Sequence, residues 1–330
     1  MQLGNLPRIK LANLPTPLEE APRLTEYLHG PRIWIKRDDL TGLAMGGNKA
    51  RKLEFQMGQA RARGSDVVIT VGAPQSNHAR MTAAAARRLG MDAVLVLGGD
   101  APEFLQGNLL LDRILGAEVR ILQTDDDYVL SATIEDIARQ FKQQGRRPFV
   151  IPRGASNAYG AAAYMDAAIE MLSQANAMGI RIDAIVHAST SGGTQSGLYT
   201  GTRLTESGVQ VIGISAGPKK DIVVKRVLGI VTELAELLEL QWRPHPDDII
   251  VYDEFVGEKY AVPTPECLEA IRITARTEGV LLDPVYSGKG MAGLMGLIAQ
   301  GRLGPDRNVV FWHTGGQPAL FAFAELLQEG

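Results

Sequence analysis

Only one cysteine, Cys267, stands in the 330 residues of this chain, which excludes an internal disulfide framework and any CxxC metal site. Set in PECLEA, it reads as a helix-packing residue. An excess of charge of one sign is also missing: 34 Lys and Arg against 37 Asp and Glu leave a formal net charge of −3, with no basic block. Neutralising a nucleic acid needs cations clustered on one face, so a small molecule is the better expected partner. Long apolar runs are absent too. The N-terminal stretch MQLGNLPRIKLANLPTPL lacks the apolar core of a signal peptide, and nowhere is the chain apolar for long enough to span a bilayer. The protein is therefore expected in the cytoplasm, without a membrane partner. No linker rich in Pro, Gly or Ser, no repeat and no low-complexity segment divides the chain. A second domain, which this length allows, must then be woven into the first.

What is present, from about Asp66 onward, is an alternation of short apolar runs with longer segments of helical period. The strand candidates are DVVITVG, DAVLVLGG, EVRIL, PFVIP, DAIVHAST, VQVIGISAG, DIIVYDEF and NVVFWHTGG. Between them lie the helix candidates HARMTAAAARRLG, NLLLDRILG, the stretch from Ala158 to Met178, TQSGLYTGTRL and PECLEAIRITARTEG. Continuous rather than alternating apolar strands point to burial on both faces, as in parallel sheets covered by helices, so the fold class is α/β.

Open α/β sheets bind ligands at the carboxyl ends of their strands, which directs attention to the glycines there. In VHASTSGGTQSG, residues 186 to 197, a strand ends in Ser189, Thr190, Ser191, Gly192, Gly193 and Thr194 before a helix pattern begins. Free backbone N–H groups at a helix start, with hydroxyls beside them, can surround a phosphate; a tight strand-to-helix turn is the plainer alternative. The motif is neither GxGxxG nor GxxxxGKS/T, which disfavours a dinucleotide or a nucleoside triphosphate. In GAPQSNHAR, residues 72 to 80, Gln75, Ser76, Asn77 and His78 follow one another at a turn. One of them suffices as a helix cap, so the run suits ligand recognition. A hydrolase with Ser76 as nucleophile and His78 as base is disfavoured, because residues two apart diverge on a helix and no GxSxG elbow is present. In LLDPVYSGKGMAGL, residues 281 to 294, Tyr286 sits in a loop ahead of a helix, and VVFWHTGGQPAL brings His313 and Thr314 to the end of a strand. Taken singly, Tyr286 and His313 read as packing residues. Finally, MGGNKARKLEF, residues 45 to 55, runs from two glycines and an asparagine into a helix carrying Lys49 and Lys52. A capped, solvated basic turn and a chemically special lysine both fit it.

These segments, in this order and beside LPTPLEEAPRL and IWIKRDDLTGLAMGGNK, resemble the D-cysteine desulfhydrase and 1-aminocyclopropane-1-carboxylate deaminase family of pyridoxal-phosphate enzymes, with the tryptophan-synthase-β-like fold (fold type II). The resemblance covers nearly the whole chain. It implies two open, twisted, mostly parallel sheets covered by helices. A small α/β domain, residues 50–160, would be inserted in a large cofactor-binding domain, residues 1–49 and 161–330, and the protein would be a homodimer. It further implies that pyridoxal 5′-phosphate is carried on Lys49, with Lys52 the competing lysine. Thr190, Ser191, Gly192, Gly193 and Thr194 would hold the 5′-phosphate, Asn77 the ring 3′-oxygen, and Thr314 would face the pyridine nitrogen. Tyr286 would flank the ring or touch a small amino-acid substrate, which Ser76, Gln75, His78 and Ser287 would help bind; Ser76 is also a candidate accessory nucleophile. No metal is implied.

Two positions separate the branches of the family. Cyclopropane-opening deaminases carry glutamate directly after the tyrosine and leucine before the last two glycines; here those positions are Ser287 and Thr314. Hydroxyl residues at both resemble the D-cysteine desulfhydrase branch, which implies β-elimination of D-cysteine to pyruvate, ammonia and hydrogen sulfide. The deaminase and an L-cysteate sulfo-lyase remain alternatives, as do an L-serine or L-threonine dehydratase or racemase on the same fold. A non-catalytic module binding a phosphorylated metabolite would have no use for Lys49.

Overall fold

In the computed structural model, which describes residues 3–328, the chain builds two sheets. β1 (Leu18–Glu20), α1 (Pro22–Leu28) and β2 (Arg32–Arg37) come first, and α2 (Lys49–Ala62) leads out of them. There follow β3 (Val67–Gly72), α3 (Asn77–Arg88), β4 (Asp92–Gly98), α4 (Gly107–Ile114), β5 (Glu118–Leu122), α5 (Asp127–Gln143) and β6 (Pro148–Ile151). α6 (Ala158–Ala177) leads back to β7 (Ala184–Ser189), α7 (Gly193–Leu204), β8 (Gln210–Ser215), α8 (Lys220–Leu237) and β9 (Ile250–Tyr252), and α9 (Pro265–Glu278), α10 (Ser287–Ala299) and β10 (Asn308–His313) complete the layers.

The larger sheet has the order β1-β2-β10-β7-β8-β9 and the smaller β5-β4-β3-β6, so the smaller is inserted between β2 and β7 of the larger. Every pairing is parallel except that of β1 with β2. The continuous apolar runs are buried as parallel strands require: every residue of β3, and all but the first of β4, is covered. No helix among the described residues is long and apolar enough to cross a membrane.

Three departures from the sequence reading have physical causes. β1 and β2 precede the expected start at Asp66, and β2 was disguised by Lys36, which is fully buried yet donates to Thr16 O, Glu170 Oε1 and Gln174 Oε1, each at 2.6 Å. α8 is rich in β-branched residues, Ile222, Val223, Val224, Val227, Ile230 and Val231, which blur its helical period. Leu11, Ala12 and Leu43 belong to the expected large-domain segment but pack with α2 and α3 in the core beneath the smaller sheet. The N-terminal segment therefore touches both sheets.

Candidate active site

A cavity of about 470 Å³ lies between the sheets, at the carboxyl ends of β3, β7 and β10. This is where open α/β sheets bind ligands. Its wall includes Lys49, Ser76, Asn77, His78, Thr190, Ser191, Gly192, Thr194, Tyr286 and Thr314, which the chain brings together from five separate segments.

Lys49 reaches the cavity from a turn that only glycine can make. Gly46 has φ 72° and Gly47 φ 128°, and a Cβ on Gly46 would collide with the Asp39 carbonyl. Asn48 follows in helical conformation and does not cap α2; its Nδ2 donates instead to Thr194 Oγ1 at 3.1 Å, while its backbone N–H donates to Thr314 O at 2.9 Å. The turn is thereby tied to both the start of α7 and the end of β10.

The two lysines of α2 stand three residues apart on the helix, and each shifts the protonation of the other. Burial pulls the Lys49 ammonium down from its ordinary 10.5 to about 8, against a smaller upward pull from the neighbouring Lys52 amine. Lys52 stands well below its ordinary value, through burial first and the Lys49 charge second. Its Nζ has neutral oxygens for company, Gly154 O and Ser156 Oγ, both at 3.3 Å. Two amines in one buried place without a carboxylate partner among the described residues make a site that an anion would complete.

The anion's other contacts are in place. α7 opens at Gly193 after Gly192, whose φ of 87° turns the chain, and no side chain caps its first N–H groups. Thr190 Oγ1 is buried without a hydrogen-bond partner among the described residues, and Lys52 Nζ lies 3.0 Å from where a Cβ on Gly193 would stand. Gly193 itself is packed against Ser156 and Lys52 rather than exposed on the wall. Gly154, at φ 67°, brings bare backbone to the same place: a Cβ there would lie 3.3 Å from Lys49 Nζ and 2.6 Å from Ser191 Oγ.

On the opposite wall, Ser76 caps α3, accepting from Ala79 N–H at 3.2 Å, and Asn77 Oδ1 accepts from Asn108 Nδ2 at 3.0 Å. His78 does not serve Ser76. Thr70 Oγ1 donates to Ile151 O at 2.7 Å, so the 2.7 Å contact with His78 Nε2 must be a bond from the ring N–H to that hydroxyl oxygen. Nδ1 is left as a buried acceptor without a hydrogen-bond partner among the described residues. Burial, then the Lys49 and Lys52 charges, hold this imidazole neutral, far below its ordinary pKa.

Besides Gly193, two residues expected at the site are not on its wall. Gln75 turns away: its Oε1 accepts from Asn108 N–H at 2.9 Å and its Nε2 donates to Gln106 O at 3.1 Å, fastening the loop to α4. Ser287 is buried behind Tyr286, its Oγ donating to Asp283 Oδ1 at 2.6 Å and accepting from Asp283 N–H at 2.7 Å. The Asp283 carboxylate also takes the N–H groups of Val285, Tyr286 and Ser287, so this cluster builds the turn that presents Tyr286. His313 is structural, with Nε2 3.0 Å from Leu281 O and Nδ1 accepting from Gly315 N–H.

Several wall residues carried no sequence signal, Arg153, Asp127, Arg226 and Tyr260 among them. Tyr260 meets Tyr286 hydroxyl to hydroxyl at 2.5 Å, with ring centroids 5.8 Å apart. Burial raises both phenols above their ordinary pKa, so both stay protonated, and one hydroxyl hydrogen remains free for a ligand. Tyr260 lies in VGEKYAVP, a loop with neither period nor motif. Among the described residues, no group of three or more His, Cys, Asp or Glu is placed to hold a metal ion.

The profile of the family described as "Pyridoxal-phosphate dependent enzyme" matches residues 9–315. A protein of Pyrococcus abyssi described as "Putative 1-aminocyclopropane-1-carboxylate deaminase" is 41% identical over 99% of this chain and 97% of its own length. A relative of the same description from Pyrococcus horikoshii is 40% identical over 98% and 96%. The solved structure of an "ACC deaminase homologue" superposes with a TM-score of 0.92 at 39% identity, covering 99% of this chain and 97% of that one. A fungal L-serine ammonia-lyase from Rhizomucor miehei shares the fold, with a TM-score of 0.67 at 20% identity over 97% of this chain and 98% of that one. The cofactor of this family, pyridoxal 5′-phosphate, fits the cavity: an amine of lowered pKa for its aldehyde, and an uncapped helix start, an orphaned threonine hydroxyl and a second amine for its phosphate. The chain belongs to the pyridoxal-phosphate dependent enzymes, as a deaminase-like lyase of fold type II.

Proposed function

We propose that the enzyme catalyses β-elimination on a small amino acid, with D-cysteine and water giving pyruvate, ammonia and hydrogen sulfide. When bound, the cofactor supplies the electron sink that stabilises negative charge at the substrate Cα. Lys49 carries it and, once released, takes the Cα proton; an amine with a pKa near 8 is a usable base at neutral pH. Lys52 and the residues from Thr190 to Thr194 hold the phosphate, and Asn77 donates to the ring 3′-oxygen. Ser76 binds the substrate carboxylate. Tyr286, with its free hydroxyl hydrogen or that of Tyr260, orients the substrate beside the ring.

The observation that carries the choice of reaction is the hydroxyl of Thr314 on the cavity wall, together with the engagement of Ser287 by Asp283. No carboxyl group is offered at either of the positions that distinguish the branches. A neutral hydroxyl facing the pyridine nitrogen does little to hold a proton there. Loss of a thiolate, a good leaving group, needs little such help, whereas opening a cyclopropane requires a proton on a carbon of very low basicity.

A second reading, cyclopropane opening, is favoured by the descriptions of the relatives that are 40–41% identical. The two are separated by assaying the purified holoenzyme on D-cysteine, L-cysteine, L-cysteate, β-chloro-D-alanine and 1-aminocyclopropane-1-carboxylate, with keto acid, sulfide and sulfite all measured. Sulfide and pyruvate from D-cysteine, with little turnover of the cyclopropane acid, is the expected result. Faster 2-oxobutyrate formation from the cyclopropane acid reverses the choice, and sulfite from L-cysteate would move the enzyme to the sulfo-lyase branch.

A further inference from the structure

We infer that Asn108, which is not on the cavity wall, is a positioning residue that decides which end of the Asn77 amide faces the cofactor. Asn77 enters here as the residue that meets the ring oxygen, so the assignment rests on the reading proposed above.

Arg80, buried on α3, donates through Nη1 to Asn108 Oδ1 and through Nη2 to Gly46 O, both at 2.8 Å. An arginine can only donate, so the Asn108 atom that faces it must be the carbonyl oxygen. The Asn108 NH2 group then points the other way, donating to the backbone carbonyl of Gln75 and to Asn77, both at 3.0 Å. A backbone carbonyl can only accept, so the assignment is fixed from both ends. Asn77 must in turn offer its Oδ1 to Asn108, and its NH2 group is what remains for the cavity. That polarity suits the anionic ring oxygen of pyridoxal phosphate; the reversed amide would set a lone pair against it.

The chain of bonds starts at the catalytic turn. Gly46, whose carbonyl Arg80 holds, opens the glycine pair that presents Lys49. Asn108 is fully buried at the start of α4, its backbone N–H held by Gln75 Oε1 at 2.9 Å. The polar side chain of Gln75, expected among the substrate ligands, thus serves the same purpose from behind. One guanidinium holds the lysine turn with one arm and sets the polarity of the Asn77 amide with the other.

The test is titration of the apo protein with pyridoxal 5′-phosphate, recording the affinity and the position and pH dependence of the visible absorption band. Asn108→Asp keeps a partner for Arg80 but offers Asn77 only an acceptor, so Asn77 must turn its NH2 group inward and its oxygen to the cavity. Binding should weaken about tenfold or more, because a charge-assisted hydrogen bond becomes a repulsion. The band should move, and adding Asn77→Ala to the Asp variant should change little further. Asn108→Ala, which frees Asn77 to turn without forcing it, should give a smaller loss of affinity and a smaller shift. A folded Asn108→Asp protein with wild-type affinity and spectrum overturns the inference. If that variant does not fold, Asn108→Ala decides: lower thermal stability with unchanged affinity and band would mean that Asn108 only ties α4 to the loop. Asn77→Ala is the control. Wild-type affinity and spectrum there would remove Asn77 from the cofactor's ligands, whereas a loss in Asn77→Ala without one in the Asn108 variants would refute the positioning role alone.

Discussion

Helix α2 carries buried cations toward two different destinations. Toward β2 and β10, Arg51 lies in a closed set of partners: Nε is 3.0 Å from Asp38 Oδ1, and Nη1 and Nη2 donate to the two oxygens of Glu170 at 2.9 and 2.8 Å. Asp38 also accepts from Thr16 Oγ1 at 2.9 Å, Trp312 Nε1 at 2.8 Å and the Tyr164 hydroxyl. Burial alone would raise Asp38 and lower Arg51, but each overrides it in the other, so Asp38 ends below and Arg51 above its ordinary value. Toward the cavity, Lys49 and Lys52 have no such partners among the described residues, and burial wins. Sequence proximity hides the difference, since the three cations lie within four residues. On α2, the cation whose pKa its carboxylate partners raise holds the fold together, and the two amines whose pKa falls at the cavity are suited to a ligand or a reaction.

This contrast can be broken most severely at Lys49. Replacing it with Ala should cost activity on the order of a thousandfold or more, as expected for loss of the base and of covalent attachment together. The apo protein should remain folded, because only an uncompensated charge is removed. Borohydride reduction and peptide mapping of the wild-type holoenzyme should find the pyridoxyl group on Lys49; finding it on Lys52 would reverse the assignment of the two amines.

Arg51→Met should act in the opposite way. It strands Asp38 among donors that cannot neutralise it, at a cost of about 3–5 kcal/mol, read by denaturant unfolding of the apo protein. Wild-type stability would show that the closed set of partners does not hold the fold. Lys52→Met should leave covalent attachment to Lys49 intact and weaken cofactor binding about 10- to 100-fold, the value of a charge-assisted bond to phosphate. Equilibrium titration measures this, and an unchanged affinity would place the phosphate elsewhere.

The smallest effect sharpens the contrast with a pH profile. Only the neutral amine attacks an aldehyde, and the Lys49 pKa is lowered. The rate at which apo protein captures the cofactor should therefore climb through about pH 8, not 10.5, and level off above it. A profile still rising beyond pH 9 would mean that Lys49 is not desolvated in solution.

What the sequence revealed and what it hid follow the same division. Backbone-built features were legible, because glycines at strand ends announce themselves: the Gly46–Gly47 turn and the uncapped start of α7 stand where the motifs put them. Side chains that serve other side chains were not. Gln75 and Ser287 sit in runs of polar residues whose neighbours do line the cavity, and only coordinates separate a group that faces a ligand from one that braces it. Lys36 and Arg51 look like surface charges until Glu170 and Asp38, far away in the chain, are brought to them. Tyr260 had no signal at all, being a loop aromatic made meaningful by Tyr286 alone.

The junction between the lysine turn and the end of β10 is made of backbone on both sides. Asn48 N–H meets Thr314 O at 2.9 Å, and Gly315, at φ 87°, approaches Gly47 so closely that a Cβ on it would lie 2.6 Å from Gly47 Cα. That joint is made by backbone atoms alone, and Thr314 is at the same time part of the cavity wall. The backbone at position 314 anchors while the residue lines the cavity, so the two roles are separable. Under the reaction proposed above, the side chain at 314, and with it the preferred substrate, can change without loosening the turn that presents Lys49.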